Sequence, residues 1–271
     1  MAKYFHHFLP LSPPVPQEEL EEIQCLREIR YETKAGDALM IRLLGRQHSI
    51  DVIAITIPDS APTDKRDKWI EQIGNHMLAI LRVTYDASAD VVRNGDGFIN
   101  LCTETDNPQP DYKVVITSQV NKNYAVNTKN VAAIFCETMS STQATILSLL
   151  AEAQIPSVPT HYKILSLIRA LEILFPSEQE RFAWLDRYED KFAALKISNK
   201  RFRNALPELR TRCAHGVSRG DVVPLVGQAY GEVREILLLL KLLRQVVADR
   251  ANEIYGLGLY IGSPPTARSN Q

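Results

Sequence analysis

The chain has 271 residues, of which 45% are hydrophobic and 23% are charged, with a formal net charge of −1 at pH 7. This composition is that of an ordinary globular protein with enough apolar residues to build a core without disulfides or metals. A net charge this small excludes attraction of the whole chain to nucleic acid or membranes, so any such attraction must come from a local patch.

Cysteine spacing and hydropathy indicate the cellular compartment in which the protein is expected. No two of the four cysteines are spaced as in a zinc site or a disulfide framework, which fits a reducing cytosol. The first residues lack the apolar run of a signal peptide. The longest apolar run, 236–243, is interrupted by Lys241 and falls short of the roughly 20 residues that span a bilayer. We therefore expect a cytoplasmic protein without membrane contact.

The N-terminal part begins with four prolines in sixteen residues, which predicts an extended arm or loop. Runs rich in branched and apolar residues, separated by turns, then predict a meander of three strands at residues 24–33, 37–45 and 50–58. Apolar residues recur at helical spacing over residues 63–86 and predict a helix. Two further strands are predicted at residues 98–102 and 112–120.

The strand pattern stops near Asn127, and the rest of the chain has the periodicity of helices joined by short loops. The predicted helices cover residues 127–139, 140–154, 159–176, 177–195, 199–215 and 221–254. Ser177 and Glu180 form a capping-box pattern at the start of one of them. Five or so such helices describe a helical bundle.

The predicted fold class is therefore α+β, with a small N-terminal α+β unit followed by a helical bundle. We place the N-terminal domain, with its proline-rich arm, at residues 1–125. A helical connector at 126–156 could belong to either side. The bundle covers residues 157–255, and a tail occupies 256–271.

One segment of the bundle concentrates positive charge. Between residues 196 and 219 a single acid, Glu208, stands among seven basic residues, for a net charge of +6. The basic residues are Lys196, Lys200, Arg201, Arg203, Arg210, Arg212 and Arg219. Such a segment is where a phosphate-bearing partner would dock. The alternative is a solvated helix face that pairs with acids elsewhere in the chain.

His215 lies inside this segment, directly before Gly216, a residue that commonly ends a helix. A histidine in a last turn is favoured in its protonated form by the helix dipole, and it titrates in the range that suits proton transfer. Thr211, four positions earlier, shares its helix face. The alternative is a capping histidine with a structural role only.

The string RTRCAHG resembles the R-x4-6-H motif of the HEPN domain superfamily, with Arg210 and His215 as the two motif positions. That family is a helical bundle whose motif lies near the end of a helix that precedes a long final helix, and the predicted order here is the same over residues 157–255. Thr211 stands where the family often has asparagine, aspartate or histidine.

The resemblance implies a metal-independent endoribonuclease without a cofactor, of the kind used in toxin or antiviral roles. His215 would transfer protons, Arg210 would stabilise charge on the phosphoryl group, and Thr211 would bind a phosphate oxygen or orient the histidine. Because one chain offers a single histidine at the motif, the resemblance implies a homodimer formed through the bundle. The N-terminal domain would sense the target or bind a protein partner.

Neighbouring residues complete the predicted RNA site. Five cations would hold the RNA backbone, and Phe202 would offer a stacking face to a base. The five are Lys200, Arg201, Arg203, Arg212 and Arg219. Two other functions stay open: a non-catalytic module that binds RNA or a nucleotide, and an interaction protein whose apolar final helix pairs with a second subunit.

Other histidines carry less information. His6 and His7 are adjacent in the proline-rich arm, where a metal role is one interpretation and a solvent-facing arm the other. His76 lies in the apolar helix predicted at residues 63–86, which favours a partly buried histidine with a hydrogen-bond partner. No P-loop, GxGxxG, HExxH or GxSxG motif competes with the basic segment.

Overall fold

The structure is a computed structural model of the chain, and the class is α+β, with an antiparallel sheet and, among the described residues, eight helices. Two compact units divide the chain, the first ending at Ser141 and the second beginning at Thr142. The structure describes residues 4–16, 25–46, 49–85, 90–91, 99–106, 127–139, 141–155, 157–195, 200–215, 233–256 and 259.

An antiparallel sheet with the order β2-β3-β4-β1 is the centre of the first unit, and the short strands β5 and β6 both pair with the free side of β1. Its strands are β1 (Tyr4–Pro16), β2 (Cys25–Glu32), β3 (Ala38–Arg46), β4 (Ser49–Pro58), β5 (Asp90–Val91) and β6 (Ile99–Thr103). The meander and the strand expected at 98–102 are confirmed. The strand predicted at 112–120 lies outside the described residues.

The N-terminal arm is not a loop, and this prediction was wrong. Residues 4–16 form β1, which pairs with β4 on one side and with β5 and β6 on the other. The pairing register shifts between Pro10 and Val15, so Pro13 and Pro14 fall where the ladder is interrupted and a missing N–H costs least. The other two prolines of the strand, Pro10 and Pro16, lie opposite residues of β4. Phe8 and Leu9 are buried, and burial between strands outweighs the local proline signal.

Two helices complete the first unit in the residues that the structure describes. They are α1 (Thr63–Tyr85), as predicted, and α2 (Thr128–Thr138), which contacts both α1 and β2. The Tyr31 ring of β2 meets the Phe135 ring of α2 edge-on at 5.7 Å. The connector predicted at residues 126–156 is divided, because α2 belongs to the first unit and the next helix to the second.

The second unit is helical in the residues that the structure describes, with α4 in contact with α3, α7 and α8. Its helices are α3 (Thr142–Glu152), α4 (Thr160–Leu174), α5 (Glu178–Asp186), α6 (Glu189–Ala193), α7 (Phe202–Ala214) and α8 (Val233–Tyr255). The long last helix begins at Val233 in the described chain, and residues 216–232, where its start was predicted, lie outside it. No described helix is long and apolar enough to cross a membrane.

The helix expected at residues 177–195 is two helices, α5 and α6. The start is as predicted, because the Ser177 hydroxyl accepts the N–H of Glu180 at 3.2 Å. The helix is interrupted at Tyr188, whose backbone is non-helical (φ −112°, ψ 7°) and whose hydroxyl donates to Asp249 of α8 at 2.7 Å. A tertiary hydrogen bond therefore coincides with the break, which local periodicity did not indicate.

Candidate functional site

The predicted site lies on α7, which is held by one buried stripe. The buried residues of α7 are Phe202, Ala205, Leu206, Leu209 and Cys213, spaced by three and four positions. Burial raises the pKa of the Cys213 thiol to about 12, so this cysteine inside the motif is a packed residue and not a nucleophile at neutral pH. Four of the candidate residues lie on the remaining faces of α7: Arg203, Arg210, Thr211 and Arg212.

The three predicted catalytic residues occupy the C-terminal end of α7. Arg210 is exposed, and its Nη1 lies 3.2 Å from Oε1 of Glu172 on α4. The Thr211 hydroxyl donates to the carbonyl of Pro207 at 3.0 Å, within the same helix. His215 is the half-buried residue that follows the helix, with an extended backbone, and its N–H donates to the Thr211 carbonyl at 3.2 Å.

The basic residues of α7 are divided between two flanks of the buried stripe. At about 100° per residue, Arg203 and Arg210 lie on one flank and Arg212 on the other. Arg203 pairs with Asp186 of α5 at 2.7 Å, which places a carboxylate beside each cation of the first flank. The +6 segment is therefore not one uninterrupted patch in its described part. Lys196 and Arg219 lie outside the described residues.

The second flank faces a pocket of about 240 Å³ between α6 and α7, called here the α6–α7 pocket. Three of the predicted RNA-binding cations line it together with two carboxylates and an apolar wall. The charged lining residues are Lys200, Arg201, Arg212, Glu189 and Glu208. Nζ of Lys200 lies 3.5 Å from Oε2 of Glu208. Oε2 of Glu189 accepts the backbone N–H of Phe202 at 3.1 Å.

Phe202 does not present a stacking face. Its side chain is 7% exposed, and its ring lies parallel to the ring of Phe192 with centroids 3.5 Å apart. The two faces cover each other in the packing of α7 against α6, so a base has no free face there. Phe202 is therefore a core residue, which the sequence signal of an aromatic between arginines did not distinguish from a binding residue.

Sequence reasoning missed the acidic partners of these arginines. The sequence indicated acids elsewhere in the chain only as a general counter-charge and did not identify Glu172 or Asp186 as partners. Arg203 and Asp186 are 17 positions apart, and Glu189 is 13 positions from Phe202, so no local spacing rule connects them. The alternating placement of Arg203, Arg210 and Arg212 on a helix was the available signal for two flanks.

His6 and His7 are strand residues rather than part of an exposed arm. They are 1% and 8% exposed, and as neighbours in β1 they point to opposite faces of the sheet. Burial lowers the pKa of both. Nδ1 of His6 lies 2.9 Å from the Thr56 hydroxyl. Within the described part of the chain, no three His, Cys, Asp or Glu side chains are grouped to hold a metal ion.

The Arg210–Glu172 ion pair is expected to contribute little to stability. Its side chains are 54% and 31% exposed, and pairs of this kind stabilise by about 0.2–1 kcal/mol. We expect Arg210→Ala and Glu172→Gln each to lower the free energy of unfolding by less than about 1 kcal/mol, measured by urea denaturation. A loss above about 2 kcal/mol would show that the pair is structural and that Arg210 variants cannot report on chemistry.

No protein-family model matches the chain, and searches of curated proteins and of solved structures found no significant match. The likeness to HEPN domains therefore rests on the motif and on the order of the helices.

Proposed function

We propose that this protein is a HEPN-type endoribonuclease that cleaves RNA at a composite site of a homodimer. The observation that carries the proposal is the position of Arg210 and His215 at the same end of α7, in a helical unit whose next described helix, α8, has 23 residues. Arg210 is 54% exposed, so its guanidinium can reach a phosphate by exchanging its pairing with Glu172. The first unit would select the target or bind a protein partner.

The chemistry needs a base, an acid and a cation. In the proposed dimer, the His215 imidazole of one chain accepts the proton of the ribose 2′-hydroxyl as that oxygen attacks phosphorus, and the bond from phosphorus to the 5′-oxygen breaks. The His215 imidazole of a second copy gives a proton to the leaving 5′-oxygen. Arg210 stabilises the charge that develops on the phosphoryl oxygens. The products are a 2′,3′-cyclic phosphate and a 5′-hydroxyl. The same proposal includes a toxin or antiviral role in the cytoplasm.

A second candidate function is RNA binding without cleavage. It is favoured by the engagement of Arg210 with Glu172 and by the Thr211 hydroxyl, whose hydrogen is donated to Pro207. The protein would then bind RNA in a salt-sensitive manner and release it intact.

A third candidate function is that of an interaction protein. It is favoured by two exposed leucines of α8, Leu237 and Leu238, which are 51% and 43% exposed.

Incubation of the purified protein with end-labelled RNA tests the first candidate. We expect fragments that end in a 2′,3′-cyclic phosphate, formed at the same rate with and without EDTA, because every group in the scheme belongs to the protein. Intact RNA under all conditions, or cleavage abolished by EDTA, contradicts the proposal. Intact RNA that is nevertheless retained at low salt points to the second candidate.

The dimeric site has a separate test. Wild-type and His215→Ala chains are co-expressed with different tags in varied ratios. If one site needs two His215 side chains, cleavage falls with the square of the wild-type fraction. A linear fall shows that each chain carries a complete site and removes the composite site from the proposal.

A further inference from the structure

The α6–α7 pocket has the features of a site for a single anionic group. Lys200, Arg201 and Arg212 bring three cations to its lining. Its volume of about 240 Å³ lies just below the roughly 300–1,000 Å³ of sites for whole small molecules. A phosphate with its sugar fits such a volume, whereas a folded RNA element does not.

The apolar wall indicates that the pocket takes a phosphate rather than a base. Phe192 and Phe202 form part of this wall, but their faces cover each other at 3.5 Å, and both side chains are less than a tenth exposed. Base recognition by stacking needs a free aromatic face. Contacts with the backbone phosphate carry no sequence information, so binding here is independent of sequence.

Glu189 places a carboxylate of the protein in the same pocket. Its Oε2 accepts the N–H of Phe202 at 3.1 Å, so its negative charge lies beside the pocket's cations. Glu208, the other acid of the lining, is 3.5 Å from Lys200. A phosphate that enters the pocket meets both carboxylates, and Glu189 is the one held at the start of α7.

We propose that the α6–α7 pocket binds one phosphodiester group of a single-stranded RNA and that the Glu189 carboxylate competes with it. The pocket thus anchors the strand on the flank of α7 opposite Arg210, and Glu189 sets the affinity. The choice of RNA as the anion rests on the proposed function, but the binding does not require cleavage.

The first test uses Glu189→Gln, which keeps an oxygen acceptor for the Phe202 N–H and removes the charge. Binding of a fluorescent 2′-O-methyl RNA oligonucleotide, which lacks the attacking hydroxyl, is measured by anisotropy in the full chain. We expect the variant to bind the RNA about threefold more tightly, because it removes the repulsion between the Glu189 carboxylate and the phosphate, which is comparable in size to one surface ion pair. Glu178→Gln on α5 makes the same charge change outside the pocket lining and is the matched control. Equal affinities of the two variants overturn the competition.

The second test uses Arg212→Ala. One lost phosphate contact lowers the slope of log affinity against log salt by about 0.7 for a single strand. Arg169→Ala, at an exposed position of α4, removes the same charge elsewhere and is expected to leave the slope unchanged. An unchanged slope for Arg212→Ala overturns the pocket as a phosphate site. Because the probe cannot be cut, these results are independent of RNA cleavage, and either proposal can fail while the other holds.

Discussion

Replacement of His215 by alanine is expected to lower the rate of RNA cleavage by a factor of about 100 to 10,000, the contribution of a positioned acid or base. A neutral imidazole has one ring nitrogen that accepts a proton and one that donates, whereas the guanidinium of Arg210 is a donor only, and neither it nor the Thr211 hydroxyl can replace the histidine as an acid or base. The fold should tolerate the change, because His215 follows the end of α7 and is half-buried. RNA binding is expected to change much less than the cleavage rate.

The measurement is the single-turnover cleavage rate of labelled RNA with excess enzyme. His161→Ala is the matched control, because it removes a histidine of α4 in the same unit that has no place in the proposed chemistry. Thermal melts of both variants exclude unfolding as the cause. A His215→Ala protein that cuts RNA at the wild-type rate would sink the catalytic proposal and leave the RNA-binding module as the function.

Acid is expected to destabilise the first unit through His76. Nε2 of His76 lies 2.8 Å from the Thr138 hydroxyl, which donates its own hydrogen to the Ile134 carbonyl at 2.6 Å. The imidazole must therefore donate from Nε2, and its Nδ1 is buried with no hydrogen-bond partner in the described structure. Protonation would bury a charge there, and burial lowers the pKa of His76 to about 4.

The direction of the pH dependence follows from this lowered pKa. Above the ordinary histidine pKa of about 6.5 the imidazole is neutral in both states, and stability is complete. Between that value and the folded-state pKa of about 4, the unfolded chain binds a proton that the folded chain does not, so stability falls as the pH falls. The loss is about 2 kcal/mol at pH 5 and about 3 kcal/mol below pH 4. His6 and His7, whose pKa values are also lowered, act in the same direction.

Urea denaturation at about pH 7.5 and about pH 5 measures this loss. The chain has two tryptophans, Trp69 in α1 and Trp184 in α5, so a Trp184→Phe background leaves fluorescence that reports on the unit containing His76. In that background, His76→Gln retains a donor for Thr138 without a titrating ring. We expect the His76→Gln protein to lose about 2 kcal/mol less than its parent on acidification. Equal losses of stability in the two proteins would contradict the attribution of the acid sensitivity to His76.

Much of the fold is local in origin and could be predicted from sequence. The runs of branched and apolar residues in 37–45 and 50–58 mark β3 and β4, and the apolar spacing after Thr63 marks α1. The start of the helix after Ser177 follows from a capping residue, because the Ser177 hydroxyl accepts the backbone N–H of Glu180 three positions later. These features depend on neighbours in the chain, which is why reading the chain alone finds them.

The position of β1 could not be predicted in the same way. Its prolines argue for a loop, and what makes residues 4–9 a strand is pairing with Pro58 to Ile53 on one side and with β6 on the other. Strand pairing across some 50 positions has no local signature. The burial of His6 and His7 follows from that pairing and was therefore also missed.

For the site, the sequence by itself determined which residues are candidates for chemistry: a positive segment, Arg210 with His215 five positions after it, and a helix that ends just before that histidine. Only the tertiary structure decided which of these groups are engaged. Glu172 and Asp186 pair with Arg210 and Arg203, Phe202 is stacked in the core, and Glu189 lies in the pocket with Arg212. The physical reason is that electrostatic and packing partners come from other helices, whereas helix ends and charge density are properties of the segment itself.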